Sequence, residues 1–187
     1  MAFDVNPERT AHVVAHLALK SGRRAIARDL APMLVYLADR ESIMHHGHPI
    51  GDALHRVMDG VAVQSPCDDI VTGRAPTYPA WDAVLRFDGP DVVLHDHVVD
   101  ADLDHLSIAT AWCIDQVAER FAGWTAEDVR GWMSEPDALP ELADRTGGIP
   151  LAEIMRAVGL HDPEGQARHE ESMRDVGLVL DGHRWSD

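Results

Sequence analysis

The stretch MLVYLADRESIMHHG, Met33 to Gly47, begins as an apolar helical run and then places Asp39, Arg40 and Glu41 in succession. At the helical step of about 100° per residue, Leu30, Met33, Leu34, Leu37 and Met44 share one stripe, and Glu41 falls inside it. Arg40 flanks that stripe. Asp39 points to the opposite side, where Val35 and Ile43 bracket it. A helix that is apolar on more than one side is a central one, with neighbours on both flanks. Charges carried into such a position need a partner, because stranding one costs on the order of several kcal/mol. We therefore expect Asp39, Arg40 and Glu41, with Tyr36 in the same block, to form a structural polar node that fixes how neighbouring segments pack. A catalytic carboxylate is the alternative reading, but the stretch brings no nucleophile or general base with it.

Outward from this helix the chain reads as mainly helical. Asn6 can cap a first helix over VNPERTAHVVAHLALKSG, with Pro7 in its first turn and Gly22 just past its end. Asp29 can cap the central helix, with Pro32 in the first turn and Gly47 as its stop. The segment from His48 to Gly73 is broken up by Gly and Pro and leaves room for one or two short helices. WDAVLRF and DVVLHDH, on either side of Asp88–Gly89–Pro90, read as two strands of a hairpin. Ser107 and Gly123 bound a long helix, and Thr125 to Asp128 forms a capping box for the next. GGIPLAEIMRAVG gives another short helix, and a polar C-terminal helix or tail follows from about residue 162. The expectation is one mainly α (α+β) domain over 1–187, with a small β-hairpin inserted between the N-terminal and C-terminal helices.

The chain has 187 residues, enough to bury a sizeable core without covalent staples. No apolar run approaches the roughly 18 residues needed to cross a bilayer. The N-terminus lacks the basic-then-apolar order of a signal peptide. Cys67 and Cys113 form no CxxC pattern, which fits a reducing cytoplasm better than a disulfide framework. A formal net charge of −16 argues against free nucleic acid as a partner, since phosphate contacts need Lys and Arg. The charge is also uneven. Lys20 to Arg28 is locally basic, whereas Asp82, Asp88, Asp91, Asp96, Asp100, Asp102 and Asp104 stand against Arg86 alone. That acidic segment is either a solvated face or a docking surface for a basic partner.

Histidine is abundant, with twelve in the chain. His12 and His16, at i and i+4, are spaced to present two imidazoles to one metal, but Val13 stands where a zinc protease would carry glutamate. His95 and His97 would share one face of a strand, within possible reach of His45 or His46. Nothing in the sequence joins these segments, so neither a metal nor another cofactor is expected. There is no nucleophile elbow, phosphate loop or dinucleotide fingerprint. Gly147–Gly148 lacks the preceding strand and lysine that a phosphate cradle needs. A non-enzymatic chain is the expectation.

LAPMLVYLADRESIMHHGHPIGDALHRVMDG resembles the N-terminal signature of the Panacea antitoxin domain, the SocA-like group, in which a Leu-Leu-Tyr-Leu-Ala-Asp-Arg helix precedes a glycine and a Pro-Ile pair. The matching positions are Leu34, Tyr36, Leu37, Ala38, Asp39, Arg40, Gly47, Pro49, Ile50, Met58 and Gly60. The similarity continues with Trp81 before the hairpin, Leu106–Ser107 opening a long helix, Leu139–Glu141, and IPLAEIMRAVG, covering roughly residues 5 to 160. Two departures stand out. The family's Gly-Pro-Val turn reads Gly60, Val61 and Ala62 here, and its histidine ahead of the Pro-Glu segment is not evident around Trp132 to Pro136.

The resemblance implies a cytoplasmic bacterial or phage protein that neutralises a cognate toxin by binding it. For SocA-like members it further implies an adaptor role, handing the toxin to a Clp-type protease unfoldase. The acidic segment from Asp82 to Asp104 is then the expected partner surface. Two other function classes compete with this reading. One is an acidic, phage-type inhibitor that mimics nucleic acid. The other is a metal-dependent enzyme built on His12, His16, His95 and His97.

Overall fold

The computed structural model describes residues 7–51, 54–135, 137–142 and 145–182, so Asn6 and its capping role lie outside the described residues. In chain order the elements are α1 (Pro7–Lys20), β1 (Ala25–Ala27), α2 (Ala31–His46), β2 (His55–Met58), β3 (Val61–Gln64), α3 (Ser65–Val71), α4 (Pro79–Val84), β4 (Leu85–Asp88) and β5 (Asp91–Leu94). They continue with α5 (Ile108–Arg120), α6 (Ala126–Met133), β6 (Gly147–Ile149), α7 (Leu151–Ala157) and α8 (Pro163–Gly182). Single 3-10 turns sit at Asp100–Asp102 and Pro140–Leu142. The class is helix-dominated α+β.

Helix α2 is the central element, packing on α5, β3, α3, α1 and α7. Every residue from Ala31 to Asp39 is buried, as are Ser42 and Ile43. Enclosing a side chain such as Met33 or Ile43 contributes about 1.5–3 kcal/mol, so this helix holds a large share of the core. Gly47 ends it in the left-handed conformation at φ 79°, donating its N–H to the Ile43 carbonyl at 2.9 Å. The expected cap at Asp29 is absent. Leu30 occupies the cap position without a side-chain bond, and its own N–H is taken by Ala27 O at 3.1 Å in the turn leaving β1. Pro32, which has no N–H, leaves one fewer donor there in need of a cap. Met44, placed on the apolar stripe by the wheel, is exposed, although Ile43 beside it is fully buried.

Two three-stranded antiparallel sheets flank this core, in the orders β1-β5-β4 and β3-β2-β6. The hairpin around Gly89–Pro90 forms in register Leu85 to Leu94, but the segment ahead of it is not strand. Trp81 to Val84 belong to α4, opened by Pro79, which points the fully buried Trp81 indole into the core. The second hairpin, β2–β3, occupies a segment read from sequence as room for short helices. Its turn residues, Asp59 and Gly60, have φ of 51° and 82°. Positive φ at both central positions is the type I′ geometry that matches strand twist, and Asp-Gly is its characteristic pair. Ser107 and Thr125 cap α5 and α6 by accepting the Thr110 and Asp128 amides, and Asp128 completes the capping box. The polar C-terminal helix is α8, entered through Asp162, whose carboxylate accepts the Gly165 N–H at 3.1 Å.

Candidate functional site: two polar clusters

The charges of the central helix are gathered into one buried network. Asp39, 1% exposed, accepts the Ile50 and Gly51 amides on Oδ1 at 2.9 and 3.1 Å and faces His55 Nε2 on Oδ2 at 2.8 Å. Its two oxygens thereby hold the turn after α2 and the start of β2. Tyr36, about one turn before Asp39, and Arg40, directly after it, both donate to Glu141 Oε1, from the hydroxyl and from Nε at 2.7 and 2.6 Å. The Tyr36 and His55 rings meet edge-on with centroids 5.3 Å apart, joining the two halves. Burial, and then the negative charge of Glu141, push the Tyr36 hydroxyl well above its ordinary pKa, so it stays a donor.

Glu41, expected in this node, lies outside it. Its carboxylate takes His45 Nε2 at 3.1 Å, one turn along α2. His55 and Glu141 are the members that the sequence did not reveal, being separated from α2 by a turn and by about half of the chain. Burial, with help from Glu41, raises the Cys113 thiol to about 11, and Cys67 is likewise raised by burial, so neither sulfur is poised as a nucleophile. What this arrangement does chemically is position backbone.

The seven aspartates of the acidic segment are divided between separate places. Asp88 and Asp91 oppose each other across the β4–β5 turn, and Arg86 pairs with Asp88 at 3.3 Å. Asp82 accepts the Thr77 hydroxyl at 3.1 Å on α4. Asp96 lies on the bend after β5, which Arg24 clamps by donating to the His95 and Val98 carbonyls at 2.7 and 2.8 Å. Beyond that bend the chain crosses α1 and carries Asp100, Asp102 and Asp104 with it. Asp102 turns back to accept the Val99 amide at 2.8 Å. The basic segment is part of this packing: β1 pairs with β5, and the Arg28 guanidinium lies 4.1 Å from the Phe87 ring centroid.

That crossing builds a second cluster on α1, whose Glu8, His12, His16 and Lys20 follow one another at i+4 spacing. His16 is buried between two carboxylates, Asp115 Oδ1 at 2.7 Å from Nε2 and Asp100 Oδ1 at 3.3 Å from Nδ1. Lys20 Nζ also reaches Asp115, at 2.9 Å. Burial works to raise the Asp115 carboxyl, but the hydrogen bonds from His16 and Lys20 outweigh it and hold it below the ordinary range. His12, also buried, meets the His105 ring edge-on at 4.9 Å, and burial followed by the nearby His105 lowers its pKa. His105 Nε2 lies 3.1 Å from Glu8 Oε2 and 3.7 Å from Asp104 Oδ1.

The four histidines proposed from sequence as a metal set are thus dispersed. His12 and His16 have different partners on α1. His95 and His97 stack on each other with centroids 5.6 Å apart, and His95 Nε2 contacts the Asp82 carbonyl at 3.0 Å. β5 ends at Leu94, so the pair sits on a bend instead of a strand. His45 and His46 remain at the C-terminal end of α2.

Two further features lie at the surface. A cleft of about 730 Å³ lies between β2, β6 and α3, lined by Leu54, His55, Tyr78, Ile149 and Leu151. Its polar wall is already engaged, since Arg56 Nη2 binds Asp68 at 2.7 Å and Asp69 at 2.5 Å, and Arg74 binds Asp69 at 2.8 Å. On α5, Ile108 and Trp112 are exposed one turn apart, at 92% and 43%, with the His45 ring edge-on to Trp112. No helix of the described residues is long and apolar enough to cross a membrane. Set against known protein families, curated proteins and solved structures, the chain matches none of them.

Proposed function

We propose that this chain is an antitoxin that neutralises a cognate toxin by direct protein–protein binding. The observation that carries the reading is where the Panacea-like blocks lie. Tyr36 and Arg40, from the Tyr-Leu-Ala-Asp-Arg block, hydrogen-bond Glu141 of the Leu-Pro-Glu block. Asp39 of the same block accepts the amide of Ile50, from the Pro-Ile pair. Motifs that resemble the family at three separated places are mutually bonded, as expected if they encode one scaffold. On this reading the node sets the fold and the toxin is met elsewhere, at the carboxylates of Asp82, Asp88, Asp91, Asp96, Asp100, Asp102 and Asp104. Complementary charge there would act mainly on association rate. Delivery of the captured toxin to a Clp-type protease unfoldase follows from the SocA-like resemblance as a second step.

The test is genetic and kinetic. A small neighbouring reading frame should be toxic when expressed alone and tolerated beside this chain; no such rescue would end the proposal. With the toxin in hand, replacing Asp88, Asp91 and Asp96 by Lys should slow association at low salt and leave dissociation less changed. An association rate unaffected by these reversals would remove the hairpin and bend from the interface.

A further inference from the structure

We propose that Glu8, His12, Asp104 and His105 form a binding site for a divalent transition-metal ion of the zinc type. Among the described residues, His12, Asp104 and His105 each offer a ligand atom, and these atoms lie within 4.8 Å of one another. Ligands of a tetrahedral zinc ion at about 2.0–2.1 Å stand about 3.3 Å apart. His105 Nε2 already meets Glu8 Oε2 at 3.1 Å and Asp104 Oδ1 at 3.7 Å, close to that edge length. The remaining adjustment falls on Asp104 and His105, whose side chains are 79% and 40% exposed and rotate at little cost.

The donor chemistry selects the ion. Two imidazoles with carboxylates suit zinc, nickel or cobalt, whereas magnesium and calcium prefer all-oxygen sets. Two carboxylates balance a dication's charge. The ligands come from two segments, Glu8 and His12 from α1 and Asp104–His105 from the crossing segment. Binding would therefore tie that segment to the helix. The site differs from the four-histidine set suggested by spacing, because its second imidazole comes from His105.

The experiment uses full-length protein without a histidine tag, titrated calorimetrically with Zn²⁺ and by absorbance with Co²⁺. One equivalent should bind, Co²⁺ should give the intense visible bands of tetrahedral coordination, and the melting temperature should rise. His105→Ala and Asp104→Asn alter exposed side chains and should weaken Zn²⁺ binding at least tenfold while the metal-free melting temperature stays within a few degrees. His95→Ala combined with His97→Ala should bind as the parent does. Absence of saturable binding would overturn the site. So would equal affinity in the His105 and Asp104 variants, or loss of binding in the His95/His97 variant instead.

Discussion

The polar node on α2 and the histidine cluster on α1 use the same residue types under opposite conditions. In the node, Asp39 and Glu141 are buried and each accepts two or more bonds, three of the five from backbone amides or an arginine. On α1, His12 and His16 are buried, but the carboxylates around them and His105 are not: Glu8, Asp100 and Asp104 are half or more exposed, and Asp115 is 29% exposed. The difference lies in what removal of one group leaves behind. A buried acceptor strands donors that cannot reach water, whereas an exposed carboxylate is replaced by solvent at small cost. Stability should therefore concentrate in the node, and responsiveness to solution conditions on α1.

The sharpest way to break this contrast is Asp39→Ala, which orphans two amides and His55 and should cost about 3–5 kcal/mol in urea unfolding. A loss below about 1 kcal/mol would mean that the turn at Ile50–Gly51 is held by something else. Glu141→Ala should follow at about 2–3 kcal/mol, since Arg40 and Tyr36 lose a shared acceptor. Tyr36→Phe removes one neutral donor and should cost about 1 kcal/mol, and its effect should vanish in the Glu141→Ala background.

Asp115→Asn, on α5 opposite His16 and Lys20 of α1, is expected to cost at most about 1 kcal/mol near neutral pH, because the pair is partly solvated. Its signature is the pH dependence. The Asp115 carboxyl is held below its ordinary value, so the folded chain takes up that proton less readily than the unfolded chain. The stabilisation is then fully present above the ordinary aspartate pKa of about 3.9 and is lost as pH falls through the lower folded value. The asparagine variant should flatten that acid-side decline in melting temperature.

Which parts of this were legible in the sequence follows from how local their causes are. The wheel identified α2 as central and placed Asp39 against apolar neighbours, because helix periodicity is a property of adjacent residues. Ser107, Gly47 and the Thr125–Asp128 box are likewise written within four residues. Asp59–Gly60 is an equally local signal, but Gly and Pro elsewhere in that segment point to breaks instead of a turn between strands. Glu141 was not legible as a node member. Nothing near it says that a residue 101 positions earlier will donate to it. The layout of the acidic segment is not local either: its charges are close in sequence, but the bend at His95–His97 carries Asp100 to Asp104 across α1. The pairing of His12 with His105 depends on the same reversal.

The two halves of the node differ in the sequence distance they span. Asp39 reaches partners 11 to 16 residues on, while Tyr36 and Arg40 reach Glu141 across 105 and 101. During synthesis the Asp39 half can close as soon as β2 emerges, but α2 carries an unanswered arginine and tyrosine until the Leu-Pro-Glu turn appears. The last bonds to form in the centre of the protein thus depend on a segment made late. A chain ending before Leu139 should protect the Ile50 and Gly51 amides from hydrogen exchange far less durably than the whole protein does. The central helix in effect registers whether the rest of the chain has arrived.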